Sequence, residues 1–325
     1  MGEPLVSAVI LTYNQEKYIE QTIECALAQK IDFEYEIIIG EDCSTDSTRE
    51  ICLQYQKKYP DIIRVITSDK NVGLMDNWYR SVKAARGKYI AGCGGDDYWH
   101  DSEKIREQVH VLENNSCYGM VHSDFDCYHQ NSGKTIKNYM RRKNYKHNEV
   151  KNNQLEMLIS QKTPIKASTV MFRKNIFEKF YDKKLFDEKK FMMEDTPFYI
   201  EVAANYKIFY INKSFVTYRK MAESLTKSEN KFKSLHFWIS DSEMYLYFCE
   251  KYKIIDSIKK YHKKNLLKRN LQLAFYSKNI TLANNVVSNN ENLSAKDKLW
   301  YLGTKYCLLG KLITIYDKYL RIPRG

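Results

Sequence analysis

The chain has 325 residues, 43% hydrophobic and 28% charged, which is enough for a full α/β core and a smaller second unit and too apolar for a disordered chain. Against 40 Asp and Glu stand 52 Lys and Arg, a net charge of +12 that is unevenly spread: from Thr226 onward 19 basic residues face 8 acidic ones, so the first two-thirds are nearly neutral. Eight scattered cysteines without a C-x-x-C pair exclude a disulfide framework or zinc cluster and read as reduced, cytosolic thiols; no apolar run is long enough to span a bilayer, and Glu3-Pro4 before the first short apolar run argues against a leader.

Val6 to Thr12 is a β-branched run that predicts a strand ending at the turn residues Tyr13-Asn14. Glu16 to Gln29 has helical spacing, with Ile19, Ile23 and Leu27 on one face. Tyr35 to Gly40 predicts a second strand ending at Glu41-Asp42, and Ser44 to Glu50 opens a helix with capping residues and an acidic first turn, in which Asp46 serves as a cap. Ile62 to Thr67 is a third strand, followed by Asn71-Val-Gly73. A helix through Trp78 and Val82 stops at Arg86-Gly87, and Lys88 to Gly92 is a fourth strand running into Gly95-Asp96-Asp97-Tyr98-Trp99.

Strands alternating with helices indicate a mostly parallel sheet covered on both faces, which binds ligands beyond the carboxyl ends of its strands. Four strands in succession end in polar residues: Thr12-Tyr13-Asn14, Glu41-Asp42, Asn71 and Asp96-Asp97. Each alone has a plain structural reading, as turn former, loop or solvated acidic turn. Together they converge on one sheet edge. Paired carboxylates there suit a hard cation, Mg²⁺ or Mn²⁺, shared with a phosphate. No G-x-G-x-x-G follows the first strand and no phosphate loop of the G-x-x-x-x-G-K type occurs, which argues against dinucleotide oxidoreductases and nucleoside triphosphatases of that class.

The ordered set Val6-Ser-Ala-Val-Ile-Leu-Thr-Tyr-Asn14, Gly40-Glu-Asp-Cys-Ser-Thr-Asp46, Asn71-Val-Gly73, Gly87-Lys-Tyr-Ile90, Gly95-Asp-Asp-Tyr-Trp99, Met193-Glu-Asp-Thr-Pro197 and Tyr218-Arg219 with Glu223-Ser224 resembles the family-2 glycosyltransferases. The likeness is greatest to bacterial enzymes that build capsule, O-antigen or other surface polysaccharides. It implies a GT-A fold, a Rossmann-like, mixed and mostly parallel sheet, over residues 1–225. The nucleotide-sugar half would span about 1–125 and the acceptor half about 126–225, with a basic helical extension over 226–325.

By that resemblance Thr12, Tyr13 and Asn14 lie at the nucleotide, and Asp42 accepts from the base ring N–H with Glu41 beside it. Asn71 supports the pocket. Asp96 touches the ribose, and Asp96 and Asp97 hold Mn²⁺ or Mg²⁺ on the diphosphate of a nucleotide sugar, a UDP-sugar. Gly94 departs from the family, which carries an acidic residue there. Asp195 would be the general base of an inverting displacement, and Glu194 would touch sugar or acceptor. From the residues alone, Asp195 could instead cap the helix predicted from Pro197 to Ala204. Arg219, after a strand from Ser214 to Tyr218, either pairs with the diphosphate or caps the strand end. Trp99 is either a sugar-stacking surface, with Tyr98, or core.

Within residues 126–165 the Lys-, Arg-, Asn- and Tyr-rich stretch 134–151 has no clean period and reads as an insertion or mobile loop beside an acceptor site. His122, His129 and His147 lack ligand spacing. Helical patterns run from Phe232 to Tyr252, Ile254 to Leu273 and Leu299 to Leu320. Their basic faces fit a solvated helix bundle or peripheral attachment to an anionic inner leaflet, where a lipid-linked acceptor would lie. No nucleic-acid reader motif occurs, so no nucleic-acid partner is expected. The Q-x-x-R-W signature of processive synthases is missing after Asp195, which implies one sugar per encounter. Two other classes stay open: a nucleotidyltransferase, for which a Gly-rich turn after the first strand is lacking, and a nucleotide-sugar-binding relative with weak or no catalysis. The expected location is the cytoplasm or the inner face of its membrane.

Overall fold

A computed structural model describes residues 2–143, 154–162, 165–221, 230–290 and 293–319. The chain divides into two compact units, Met1–Lys189 with Met193–Ala222, and Lys190–Met192 with Glu223–Gly325.

The first unit opens with β1 (Val6–Thr12), α1 (Ile19–Leu27), β2 (Tyr35–Glu41), α2 (Thr48–Lys58), β3 (Ile63–Ile66), α3 (Leu74–Ala84) and β4 (Tyr89–Gly94). The strands lie parallel in the order β3-β2-β1-β4. β1 is buried at six of its seven positions, because helices cover both faces, and it therefore reads as a continuous apolar run. Register brings the strand ends level: Thr12 pairs with Glu41 and Leu11 with Gly94.

The second part of this unit runs through β5 (Tyr98–Trp99), α4 (Lys104–Asn114), β6 (Tyr118–His129), β7 (Lys134–Ile136), α5 (Tyr139–Arg142), α6 (Gln154–Ile159), a 3-10 turn at Ala167–Thr169, β8 (Met171–Arg173), α7 (Lys174–Phe180), α8 (Lys183–Lys189), α9 (Thr196–Asn205) and β9 (Lys207–Lys220). β8 joins β4 to β6 antiparallel to both, β9 runs parallel to β6, and β5 closes the row antiparallel to β9. The sheet is thus mixed and mostly parallel, with helices on its faces.

In this unit the structure differs from the sequence reading in two places. Lys134–Ile136, where the expected insertion or mobile loop begins, form β7 and pair antiparallel with the end of β6. β7 has no buried side, so it leaves no apolar alternation to read. His147 and most of the basic stretch lie outside the described residues, as does Glu223-Ser224. β9 is 14 residues long, and the polar Asn212-Lys213-Ser214 midway, where its pairing with β6 slips, conceals the strand.

The second unit contains α10 (Lys231–Lys251), α11 (Asp256–Tyr276), α12 (Ile280–Ser288), α13 (Ala295–Lys305) and α14 (Cys307–Tyr319). Leu267, Leu271, Phe275, Trp300 and Ile313 form its core. A capping box of Ser294 and Asp297 starts α13. The single helix expected over 299–320 is broken at Tyr306, where α14 turns back on α13. A Cβ on Gly310 would sit 2.7 Å from the Gly303 carbonyl oxygen, so this approach requires glycine. None of the described residues forms a helix long and apolar enough to cross a membrane. The seven cysteines whose side chains are described are free.

Candidate active site

The ends of β1 and β2 carry the first group of expected residues. Thr12 is buried and Tyr13 is 45% exposed. Asn14 has a positive φ of 53° and acts as a clamp: its Oδ1 accepts from Thr45 N at 2.8 Å, and its backbone N–H donates to Ser44 Oγ at 3.0 Å. Glu41 is fully buried and accepts from Ser44 N and Arg49 Nε, both at 2.6 Å. Burial alone would raise its pKa, but those donors outweigh burial and hold the carboxyl below its ordinary range. Asp42 accepts from Val72 N at 2.8 Å and Gly73 N at 2.9 Å, pinning the Asn71-Val-Gly73 loop above the end of β2. Asn71 is exposed, and its Oδ1 accepts from Gly73 N at 3.1 Å. Asp46 accepts from Thr48 N at 3.0 Å, so it does serve the start of α2.

The second group lies after β4. Gly95 is the pivot: a Cβ there would sit 2.3 Å from Gln15 Oε1 and 2.9 Å from Thr12, so only glycine lets the loop cross β1 this closely. Asp97 is buried and both its oxygens are engaged, Oδ2 by Ser168 Oγ at 2.5 Å and Oδ1 by the Arg219 backbone N–H at 2.9 Å. Burial, and then the charge of Asp96, pushes the Asp97 carboxyl up to about 7. Burial also raises Asp96, against the pull of Arg219.

Two residues are tied to the loop by contacts within the protein. Arg219 lies between the rings of Tyr18 and Tyr98, 4.9 and 4.8 Å from their centroids, and donates to the Asp96 carbonyl at 2.6 Å and to Gln21. Arg219 thus braces the Asp96 backbone. Trp99 is core: it is 3% exposed, its Nε1 donates to Ser168 O at 2.9 Å, and the Lys104 ammonium stands 4.2 Å from its ring. Alternation along β5 turns Trp99 inward and Tyr98 outward.

The third group is Glu194-Asp195. Asp195 occupies the N-cap position of α9, yet its side chain makes no capping bond; its Oδ1 accepts from Thr196 Oγ1 at 2.9 Å. The carboxylate is therefore free of the helix duty that sequence alone left open. Both residues are partly accessible, but packing strips enough water to raise both carboxyls. Burial, and then the charge of Asp195, pushes Glu194 up to about 8, and burial raises Asp195.

The second and third groups meet. A cavity of about 220 Å³ has Asp96 and Gln15 among its lining residues together with Glu194, Asp195 and Tyr199. Gly92, Cys93 and Gly94 of β4 also line it, as do Leu74 and Trp78 of α3. Sequence reasoning placed Trp78 on a helix without a role and passed over Gln15 and Ser168. Nothing marks Ser168 in sequence, because its role arises only where the 3-10 turn meets the Asp97 loop.

Among the described residues no group of three or more His, Cys, Asp or Glu could hold a metal ion. Both Asp97 oxygens are engaged within the protein, while Asp96 lines the cavity. The pair fits a cation that arrives with a diphosphate and keeps most of its ligands outside the protein, rather than an all-protein cage.

A family model described as Glycosyl transferase family 2 matches residues 7–186. A putative teichuronic acid biosynthesis glycosyltransferase of Bacillus subtilis is 36% identical over 115 residues, 35% of this chain and 44% of that protein. The chain's match spans between 31% and 38% of the length of several other curated relatives. The fold is similar to that of S. aureus TarS in complex with UDP-GlcNAc, with a TM-score of 0.55 at 16% identity over 92% of this chain and 79% of that one. It is also similar to that of a mannosyltransferase from Pyrobaculum calidifontis in complex with GDP-Man and Mn²⁺, with a TM-score of 0.55 at 14% identity over 98% and 89% of the two chains.

Proposed function

The chain belongs to glycosyl transferase family 2, and from that premise we propose that it transfers one sugar per encounter, with inversion, from a UDP-sugar to a saccharide or lipid-linked acceptor in surface polysaccharide synthesis. The observation that carries this reading is the cavity lined by both Asp96 and the uncommitted Asp195 carboxylate. A sugar held there has the loop that meets the diphosphate and the group that meets the acceptor both within its walls.

In this reading Asp195 takes the proton from the acceptor hydroxyl as its oxygen attacks the anomeric carbon. The bond from that carbon to the diphosphate oxygen breaks, and its electron pair leaves with the diphosphate. Thr12 and Tyr13 contact the base, with the remaining lone pairs of Asp42 facing its ring N–H, and Asn71 shapes the pocket edge. Asp96 and Asp97 would hold Mn²⁺ or Mg²⁺, which supplies charge neutralisation for the departing diphosphate. Arg219 and Ser168 fix that loop in advance, which limits reorganisation during reaction. The B. subtilis relative's role in teichuronic acid biosynthesis supports the polysaccharide assignment, and the GDP-Man and Mn²⁺ complex supports a divalent cation.

The second unit supports a peripheral membrane contact. Leu302, Leu308 and Leu312 are 38%, 79% and 64% exposed, beside the exposed Lys305 and Lys311. Leucine with lysine on one short helical hairpin suits an anionic bilayer surface. Sedimentation with anionic against neutral vesicles tests this, and equal recovery with both would remove it.

The central test is calorimetric titration with UDP, GDP and CDP, with and without Mn²⁺, on wild type and Asp97→Ala. Metal-dependent binding of UDP that the variant loses is the expected result. Binding of GDP or CDP alone would change the donor class, and binding of none would leave a relative without donor chemistry.

A further inference from the structure

Lys104 is a buried cation that the proposed reaction does not use. It opens α4 and has no exposed surface. Its ammonium donates to Gln108 Oε1 at 2.8 Å, one turn further along the helix, and stands 4.2 Å from the centre of the Trp99 ring. Both partners are neutral. A cation buried against neutral groups is unfavourable, and burial pulls this ammonium down to about 7. A methionine of similar length would fill the space without that burden. Packing alone therefore gives no reason for an amine at this position.

The two partners converge on one short segment. Gln108 Nε2 donates to the Thr169 carbonyl at 2.7 Å, and Trp99 Nε1 donates to the Ser168 carbonyl at 2.9 Å. Two consecutive carbonyls of the 3-10 turn at Ala167–Thr169 are thus held by two side chains that both rest on the same ammonium. Lys104 also decides which way the Gln108 amide points. With Oε1 on the ammonium, Nε2 faces Thr169; the flipped amide would set donor against donor and acceptor against acceptor. The charge over the indole face fixes the Trp99 ring in the same way. The turn carries the Ser168 hydroxyl, which donates to Asp97 Oδ2 at 2.5 Å and accepts from Gly94 N at 3.0 Å.

We infer that Lys104 is a positioning residue for the Asp96-Asp97 loop, acting through Gln108 and Trp99 on the turn that carries Ser168. The inference rests on the transferase reading above and adds the device that keeps the Ser168 latch in register. Lys104 itself need never meet a substrate. Its ammonium orients two donors, the donors fix the turn, and the turn fixes the carboxyl pair that would meet a metal-bound diphosphate. Groups that orient metal-binding carboxylates from behind typically change metal affinity about 10–100-fold when removed.

The experiment uses the full chain and whichever of UDP, GDP or CDP the wild type binds in calorimetry. It reads the Mn²⁺ concentration that gives half-maximal nucleotide binding, together with the denaturant midpoint. Lys104→Met keeps its midpoint, because relief of the buried charge offsets the lost bond, and raises the half-maximal Mn²⁺ concentration about ten-fold. Gln108→Glu leaves Lys104 with a partner but turns an acceptor toward the Thr169 carbonyl; it shows the same rise and serves if Lys104→Met fails to fold. A folded Lys104→Met or Gln108→Glu with the wild-type Mn²⁺ requirement overturns the inference. So does unfolding of both variants, which would make Lys104 a stability residue. Wild-type binding that ignores Mn²⁺ also overturns it and leaves the transferase reading standing. Absence of any nucleotide binding by the wild type overturns that reading and the inference with it.

Discussion

Asp96-Asp97 and Glu194-Asp195 are both pairs of neighbouring carboxyls, both raised in pKa by burial, and Asp96 of the first pair lines one cavity with both members of the second. They differ in what their oxygens already do. Asp97 is latched by Ser168 and by the backbone of Arg219, strands and turns away in sequence. Asp195 accepts from the adjacent Thr196 hydroxyl and makes no side-chain capping bond to α9, although its place at a helix start offers amide N–H groups. An acidic pair in sequence is thus compatible with a structural latch or with a reactive group. The elements that arrive from elsewhere decide between them.

The largest expected effect separates chemistry from architecture. Asp195→Asn lowers the transfer rate by about 10²–10⁴, the range for loss of a positioned general base, and leaves nucleotide affinity and melting temperature near wild type. A variant that transfers normally would reassign the base. One that unfolds would turn Asp195 into a structural residue like Asp97.

At the first pair the two roles come apart by choice of substitution. Asp97→Ala strands the Ser168 hydroxyl and the Arg219 amide, and is less stable than Asp97→Asn by about 2–3 kcal/mol, read as a difference in denaturant midpoint. Asp97→Asn keeps an acceptor for Arg219 N–H and a polar partner for Ser168 and folds, yet loses metal-dependent nucleotide binding. Equal stability of the two would mean that the latch is not what holds the loop. Ser168→Ala, which removes one latch donor and leaves Asp97 half-satisfied, costs about 1–3 kcal/mol and weakens donor binding without touching Asp195.

The asymmetry also explains what could be read from sequence. β1, β2 and β4 were legible because burial on both faces writes continuous apolar runs, and their polar ends fell on one edge because parallel register aligns them. The meeting of Asp96 and Asp195 around one cavity was suggested by family likeness, not by spacing, since about a hundred residues separate them. The roles of Arg219 and Trp99 stayed open in sequence for a common reason. A cation or an indole beside a ligand edge looks available in sequence, and only tertiary contacts show that Tyr18, Tyr98 and Ser168 have already taken them. Ser168 and Gln15 carried no signal, because a serine or glutamine acquires its role from neighbours far along the chain. In the second unit the Leu299–Leu320 pattern hid a turn, because helical periodicity continues on both sides of Tyr306.

The smallest effect is the most diagnostic for the second pair. Glu194, pushed up to about 8 by burial and by Asp195, stays protonated in the folded state where an unfolded glutamate has lost its proton. A raised carboxyl contributes its full stability below the unfolded pKa, and that contribution drains as pH rises toward the folded value. Glu194→Gln carries no such penalty. It is therefore near neutral at pH 4 and stabilising by about 1–2 kcal/mol at pH 8, measured as a pH-dependent shift in denaturant midpoint. The same variant tests what tunes Asp195. Burial leads the causes that raise Asp195, so the acid limb of kcat/KM, lying above the ordinary carboxylate range, stays in place in Glu194→Gln, with activity falling as pH falls through it. An acid limb that drops to ordinary carboxylate values in the variant would show instead that the neighbouring charge, not the loss of water, poises the base.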